Sequence, residues 1–553
     1  MLGSAPVRTP LALYLLALVA RIAVAAGFPD PAYPDSFYYV DVARRIADGH
    51  GFSVDFLWIF AEVGGRIPAN PVLPIPSNAH WMPLASLAQV PFIWVLGPTA
   101  MASALPFALF GALAAPLAWA IARDAGARPL VAVGAGLMTA FPALTFAFMA
   151  QPDNFSFYQP LVAGALFLGG RGLRGSRRDF ALAGLLAGLA TLSRNDGVLV
   201  LGVLGLAFLW DRFRSWRSWA GEPRRPARVP LLAAIGAVVL FAAPVVPWLA
   251  RQVAVFGSIS PSSASGKVLF IRDIGEWNSI TTPASLDHLL GMGIGPLLMT
   301  RIGGLGNALL IFTILGCAFA LAPFMLAGAW KRRSDATFGP YLGYATVLFA
   351  FSTLVSAVHV PGGTFIHSAV ALLPHGFVLA LEGVLATVGA IAARRSTWNA
   401  AQASRVFVTG TVAFTVIAAV AGSFATHAGW ETKRARMQDA AAALNAVAGP
   451  EDRVMSIDAS GYRYWSGHGG VVLVNDPLDT VREVAQAYEI RWLILERSDS
   501  VPAAAEILLD GRRPAWVGPA VLEREDVGVY PICTMAGDPR CDGGTAVSPG
   551  AAE

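Results

Sequence analysis

The chain has 553 residues, 55% of them hydrophobic and only 14% charged, with a formal net charge of +4. A soluble protein of this length carries roughly a quarter charged residues. The composition, with a mean hydropathy of +0.56, therefore excludes an ordinary soluble enzyme, and the small net charge gives no sign of a nucleic-acid partner. Apolar runs of about 20 residues recur, long enough to cross a bilayer as helices, so the chain reads as a polytopic α-helical membrane protein.

The first apolar span covers residues 10 to 27. Ala23-Val24-Ala25-Ala26 looks like a signal cleavage site, but Arg21 interrupts the run and many further spans follow, so an uncleaved span is expected. Residues 28 to 82 form a polar loop opened by Pro34-Asp35-Ser36-Phe37-Tyr38-Tyr39. Its acids Asp30, Asp35, Asp41, Asp48, Asp55 and Glu62 outnumber Arg44, Arg45 and Arg66, which fits an outer location. Ser36 to Asp48 puts Tyr39, Ala43, Ile46 and Ala47 on one helical face, stops at Gly49, and is expected to lie on the membrane surface. Pro68 to Pro83 reads as extended loop.

Segment 84 to 97 decides the topology, because at about 14 residues it is short for a crossing. If it stays at the surface, the spans fall at 100 to 122, 129 to 150, 155 to 170, 181 to 193, 197 to 210, 229 to 250, 302 to 328, 340 to 358, 364 to 393 and 404 to 425. Every short basic loop, from Arg123 to Arg394-Arg395, then lies on the side of the N-terminus, as the positive-inside rule requires. The expectation is about eleven spans, a cytoplasmic N-terminus and an external C-terminus. The outer region 28 to 99 would carry the juxtamembrane helices.

From about residue 428 the composition becomes soluble. Glu431 to Ala448 and Val481 to Tyr488 read as helices; Arg453 to Ile457, Val471 to Val474 and Arg491 to Leu495 read as strands. This alternation predicts a small extracytoplasmic α/β domain over 428 to 542, after a transmembrane module over 1 to 427. Residues 543 to 553, rich in Gly, Ala, Ser and Pro, are expected to be disordered. Cys317 sits in an apolar run and reads as a small core residue. Cys533 and Cys541 could close a small loop, and an oxidising compartment would favour a disulfide between them. No CxxC pair or His-x-x-x-His helix offers a metal site.

Four stretches carry a family resemblance. They are Arg21 with Pro34-Asp35-Ser36-Phe37-Tyr38-Tyr39 and Ala43 to Gly49; His80-Trp81-Met82-Pro83-Leu84; Gln151-Pro152-Asp153-Asn154; and Gly188 to Arg194. The C-terminal Gly461-Tyr462-Arg463-Tyr464-Trp465-Ser466-Gly467 is similar as well. In order and spacing the chain resembles the GT-C superfamily of polyprenyl-phosphate-dependent glycosyltransferases. Protein O-mannosyltransferases and lipid A aminoarabinose transferases are the types nearest in pattern. It departs from them at Ser36, where many members carry a second acid, and at Phe365-Ile366-His367, where many carry Arg or Tyr.

The resemblance implies a GT-C fold and transfer of a sugar from a polyprenyl-phosphate donor to a hydroxyl of a lipid, glycan or protein acceptor. The reaction would take place on the outer face of a plasma membrane, the bacterial inner membrane. A phosphate leaving group needs no general acid, so the chemistry needs one carboxylate to take the acceptor proton and cations to hold the phosphate. One base and direct displacement give inversion.

Asp35 is the candidate base, with the N-cap of the following helix as its structural alternative. Asp153 could support the base or cap the next span. Arg194 is the candidate phosphate ligand, against an interfacial snorkelling role. Arg21, His80, His367, Arg251 and Arg272 are further candidates for the donor phosphate. No cofactor is implied, and no motif calls for a divalent cation. The rival classes are a transporter, which would want intramembrane charges and repeated halves, and a membrane scaffold with an outer binding domain.

Overall fold

The computed structural model describes residues 8–217, 228–358, 364–395, 397–497, 511–533, 538 and 540–541. They fall into two compact units. The first holds the described residues of Met1–Asp30, Trp81–Arg251 and Met299–His427; the second holds those of Pro31–His80, Gln252–Leu298 and Ala428–Glu553.

Among the described residues, six helices are long and apolar enough to cross a membrane: Arg8–Gly27, Ala100–Asp124, Leu231–Phe256, Ile294–Gly316, Phe365–Ala392 and Ala400–Asn445. Shorter apolar helices include Leu84–Leu96, Pro129–Thr145 and Gly339–Val355. The first helix shows the sidedness that lipid demands. It buries Leu13, Ala17, Arg21 and Ala25, one residue per turn, and exposes Leu11, Leu15, Leu16 and Val19. Large apolar side chains thus face outward, while the small Ala17 and Ala25 are among those turned inward, as when packing rather than water exclusion joins helices.

Glycines set the closest approaches in the first unit. A Cβ on Gly328 would lie 1.9 Å from the Leu379 carbonyl oxygen, and one on Gly383 1.9 Å from that of Phe324. Helices Ala322–Arg332 and Leu373–Ala392 therefore meet backbone to backbone. Two predicted spans are broken. Span 129 to 150 is helical over Pro129–Ala140 and continues as 3₁₀ turns, Ala143–Thr145 and Ala147–Ala150, because Pro142 cannot extend the helix. Span 302 to 328 is two helices rather than one. Ile294–Ile311 widens into a π turn at Phe312–Gly316, and the chain restarts at Ala322–Arg332. Between them Ala318 and Phe319 adopt φ of 43° and 61°. No Gly or Pro lies in 317–321 to announce that break, and Cys317 is buried there.

The second unit is built on a six-stranded sheet in the order β2-β5-β4-β6-β8-β7. In chain order, β1 is Ser53–Val54, β2 Phe56–Leu57, β3 Ile75–Pro76, β4 Arg453–Ser456, β5 Gly470–Val472, β6 Ile490–Glu496, β7 Leu522–Glu523 and β8 Val527–Pro531. Strands β2, β5, β4 and β6 run parallel, while β8 and β7 close the far side antiparallel. The sheet is thus not made of C-terminal residues alone: Phe56 and Leu57, from the first polar loop, pair with Gly470 and Val471. The predicted strands and helices of the C-terminal region each have an observed counterpart. Helix Ala459–Ser466 and strand β8 add to them. Cys533 and Cys541 form a disulfide. The tail expected to be disordered, 543 to 553, lies outside the described residues.

Helix Pro34–Ala47 is not the half-exposed surface helix its pattern suggested. Ser36 to Val40 are all buried, whereas Ile46 and Ala47 are only half-buried. Phe37 packs against Tyr464 at 5.3 Å between ring centroids and shares a core with Met437, Leu444, Tyr462 and Trp492. Beside it, Tyr38, Phe56 and Trp58 form edge-to-face contacts around Glu62. Burial pushes the Glu62 carboxyl up to about 8, against the opposing pull of hydrogen bonds from the Trp58 N–H and the Tyr38 hydroxyl.

Candidate active site

In the first unit, four segments meet at helix ends and breaks. Helix Phe155–Gly172 starts after Gln151-Pro152-Asp153, with Asn154 at its N-cap position. Asp153 is fully buried, and its Oδ1 accepts the Asn154 N–H at 2.5 Å. Its Oδ2 lies 2.9 Å from Nε2 of His367, from helix Thr364–Ala369. The His367 ring stacks on Phe155 with centroids 3.9 Å apart, which fixes the plane of the imidazole. A buried carboxylate is tolerated only when its lone pairs are met, and here a backbone amide and an imidazole meet them. Asp153 is therefore more than a cap: one oxygen orders the helix start while the other holds His367.

Arg194 follows helix Arg177–Ser193 as its C-cap residue. Its Nε donates to Asp196 Oδ1 at 3.1 Å, and both side chains are about four-fifths enclosed. The guanidinium carbon lies 6.0 Å from the Tyr158 ring. Asp196 Oδ2 accepts the Ser368 hydroxyl, and Ser368 is the neighbour of His367. The Tyr158 and Tyr344 hydroxyls bond each other at 3.0 Å, and Tyr344 donates to the Ser368 carbonyl at 3.4 Å. Asp153, His367, Ser368, Asp196 and Arg194 thus form one connected polar cluster. Arg194 is not a residue snorkelling into solvent.

Asp35 belongs to the second unit. It occupies the second position of helix Pro34–Ala47, after Pro34, and is half-buried. It is not the N-cap. Tyr33 holds that position, and Ser36 Oγ reaches back to accept the N–H groups of Ala32 and Tyr33 at 3.0 and 3.1 Å. The capping alternative for Asp35 is thereby filled by another residue. An acid in the first turn is still electrostatically well placed.

The remaining candidates contact other groups. Arg21 is fully buried; its Nη1 donates to the carbonyls of Ala17 and Ala140 at 3.4 and 3.3 Å. Its Nε and Nη2 meet no hydrogen-bond partner among the described residues, so it neither snorkels nor pairs with a loop acid. Arg251 lies over Trp248 at 5.0 Å. In the second unit, His80 Nδ1 bonds the Ser262 hydroxyl at 2.7 Å. Arg272 Nε donates to the His288 carbonyl at 2.8 Å, and its backbone N–H donates to Glu276. Sequence reasoning passed over Asp196 and Ser368 as functional residues. The available signal was an acid two residues after an arginine at the junction of two short helices.

Residues 81–248 match the family model of the dolichyl-phosphate-mannose-protein mannosyltransferases. No curated protein matches the sequence. Among solved structures, ArnT from Cupriavidus metallidurans bound to undecaprenyl phosphate is similar in fold, with a TM-score of 0.54 at 14% identity, over 95% of this chain and 98% of that one. The archaeal oligosaccharyltransferase AglB from Archaeoglobus fulgidus, in complex with an inhibitory peptide and a dolichol-phosphate, gives a TM-score of 0.54 at 14% identity, over 88% of this chain and 69% of that one. The same enzyme with zinc and sulfate gives 0.55 at 13% identity, over 92% of this chain and 71% of that one. The family match covers less than a third of the chain, and the solved structures share its fold.

Proposed function

We propose that the protein moves a sugar from a polyprenyl-phosphate donor to an acceptor hydroxyl on the outer face of a plasma membrane, the bacterial inner membrane. The configuration at the anomeric carbon is inverted. About eleven spans, with the N-terminus inside and the C-terminal region outside, follow from the basic loops. Asp35 takes the proton of the acceptor hydroxyl as its oxygen attacks the anomeric carbon, and the C–O bond to the phosphate breaks as the new one forms. Arg194 receives the negative charge that develops on the departing phosphate, a task that suits a permanent, planar cation. Asp153 holds His367 beside it as a second donor. The phosphate leaves as an anion, so no general acid is needed.

The observation that carries this reading is the cluster itself: a buried Asp–His pair and an ordered arginine on adjoining helix ends, in a fold shared with enzymes solved with polyprenyl phosphates. Asp35→Asn tests the base. Asparagine keeps size and removes the basic lone pair. Transfer in native membranes should fall by ~10²- to 10⁴-fold, with expression and thermal midpoint unchanged. Full activity of Asp35→Asn removes the base from Asp35 and shifts the search to Asp153.

A further inference from the structure

We infer that Asp196 is a positioning residue: it aims the Arg194 guanidinium at the donor phosphate and locks its distance to the His367–Asp153 pair. The inference rests on the reading of Arg194 as the phosphate ligand and adds a residue to it.

Asp196 lies in the short 3₁₀ turn Asn195–Gly197, between helices Arg177–Ser193 and Val198–Arg217. Its two oxygens serve different segments. Oδ1 accepts Arg194 Nε at 3.1 Å, and Oδ2 accepts the hydroxyl of Ser368 on helix Thr364–Ala369. One carboxylate therefore ties the arginine to the helix that carries His367. Gly197 makes the turn possible, since a Cβ there would lie 2.4 Å from the Thr191 nitrogen.

The geometry of the pair matters as much as its existence. A guanidinium offers five N–H groups in a rigid fork. Asp196 takes the Nε–H, a single-point contact that orients the fork without meeting it in the two-bond arrangement reserved for a full carboxylate or phosphate partner. A purely structural ion pair would gain more from that two-bond arrangement. The Tyr158 ring, 6.0 Å from the guanidinium carbon, restrains the same group from another side. The second bond, to Ser368, transmits any shift of helix Thr364–Ala369 to Arg194, so the cation and the imidazole keep a fixed spacing.

The test uses the full chain in detergent and undecaprenyl phosphate as probe, with undecaprenol as the phosphate-free control. Wild-type protein should bind the phosphate far better than the alcohol, and Arg194→Ala should erase that preference. Asp196→Ala should weaken phosphate binding about tenfold and leave undecaprenol binding unchanged, and in the Arg194→Ala background it should cause no further loss. Asp196→Asn, which keeps an acceptor oxygen, should recover part of the preference and guards against a folding defect. If Arg194→Ala erases the preference while Asp196→Ala leaves it intact, the positioning role alone is overturned. Losses that add in the double variant overturn it as well. If Arg194→Ala changes nothing, both assignments fall.

Discussion

Glu62 shows how one buried acid shapes the pH response of the second unit. It sits among Tyr38, Phe56 and Trp58 with its carboxyl raised from 4.5 to about 8. The folded state thus holds a proton that the unfolded chain releases near its ordinary value. Between about pH 4.5 and 8 the native form binds more protons, so stability falls as pH rises through that window and levels off above it. Glu62→Gln removes the titrating group and keeps the hydrogen-bonding shape. Its thermal midpoint should exceed that of wild type at pH 8.5 and should fall less steeply between pH 7 and 8.5, where Glu62 and not Asp41, raised to about 7, dominates the loss. A wild-type profile that rises with pH would contradict the buried, protonated acid. At this scale much of the site was visible in the sequence. Asp153, Arg194 and His367 stand out because charge is scarce in their surroundings. Their partnerships did not show, because 214 residues separate Asp153 from His367. The network through Asp196 and Ser368 exists only once two distant helix ends are folded together.

At the scale of elements, the sequence was informative wherever hydrophobicity has a period. Helix Phe155–Gly172 and strands β4 and β6 lie within a few residues of their predicted limits. Strand β2 could not be foreseen, since two residues carry no period. The break after Gly316 was hidden for another reason: positive φ at Ala318 and Phe319 is imposed by packing and not by residue type. The glycine contacts make the sharpest prediction here. Gly383→Ala puts a methyl group 1.9 Å from the Phe324 carbonyl oxygen, so helices Ala322–Arg332 and Leu373–Ala392 must separate. Its thermal midpoint in detergent should drop by several degrees or the protein should fail to accumulate. Gly306→Ala, on helix Ile294–Ile311 with nothing within 4 Å of the new atom, should be neutral or slightly stabilising, as alanine favours helix over glycine. Equal effects at the two positions would mean that the close approach is not rigid.

For the whole molecule, the apolar outer face of helix Arg8–Gly27 and the six long apolar helices describe a chain made for lipid. The proposed sidedness makes one simple prediction. A reporter fused after Glu553 that is active only outside the cytoplasm should be active, and one that works only in the cytoplasm should be silent. The opposite pattern would invert the assignment of every basic loop. The same proposal accounts for the bridge between Cys533 and Cys541, since disulfides persist in oxidising compartments. Composition places a change near residue 428, but it could not reveal that the sheet recruits Phe56 and Leu57.

That recruitment bears on the order in which the chain can mature. Helix Pro34–Ala47, with Asp35 in its first turn, is made long before the segments it packs against. Its core partners Met437, Tyr462 and Trp492 follow about 400 residues later, and Ser460, which donates its hydroxyl to the Pro34 carbonyl at 3.2 Å, is separated from it by 426 residues. Bringing such distant segments together is slow compared with forming local helices. The loop that carries the proposed base therefore waits for segments made about 400 residues later. The core around Phe37 is therefore incomplete until Met437, Tyr462 and Trp492 have been made.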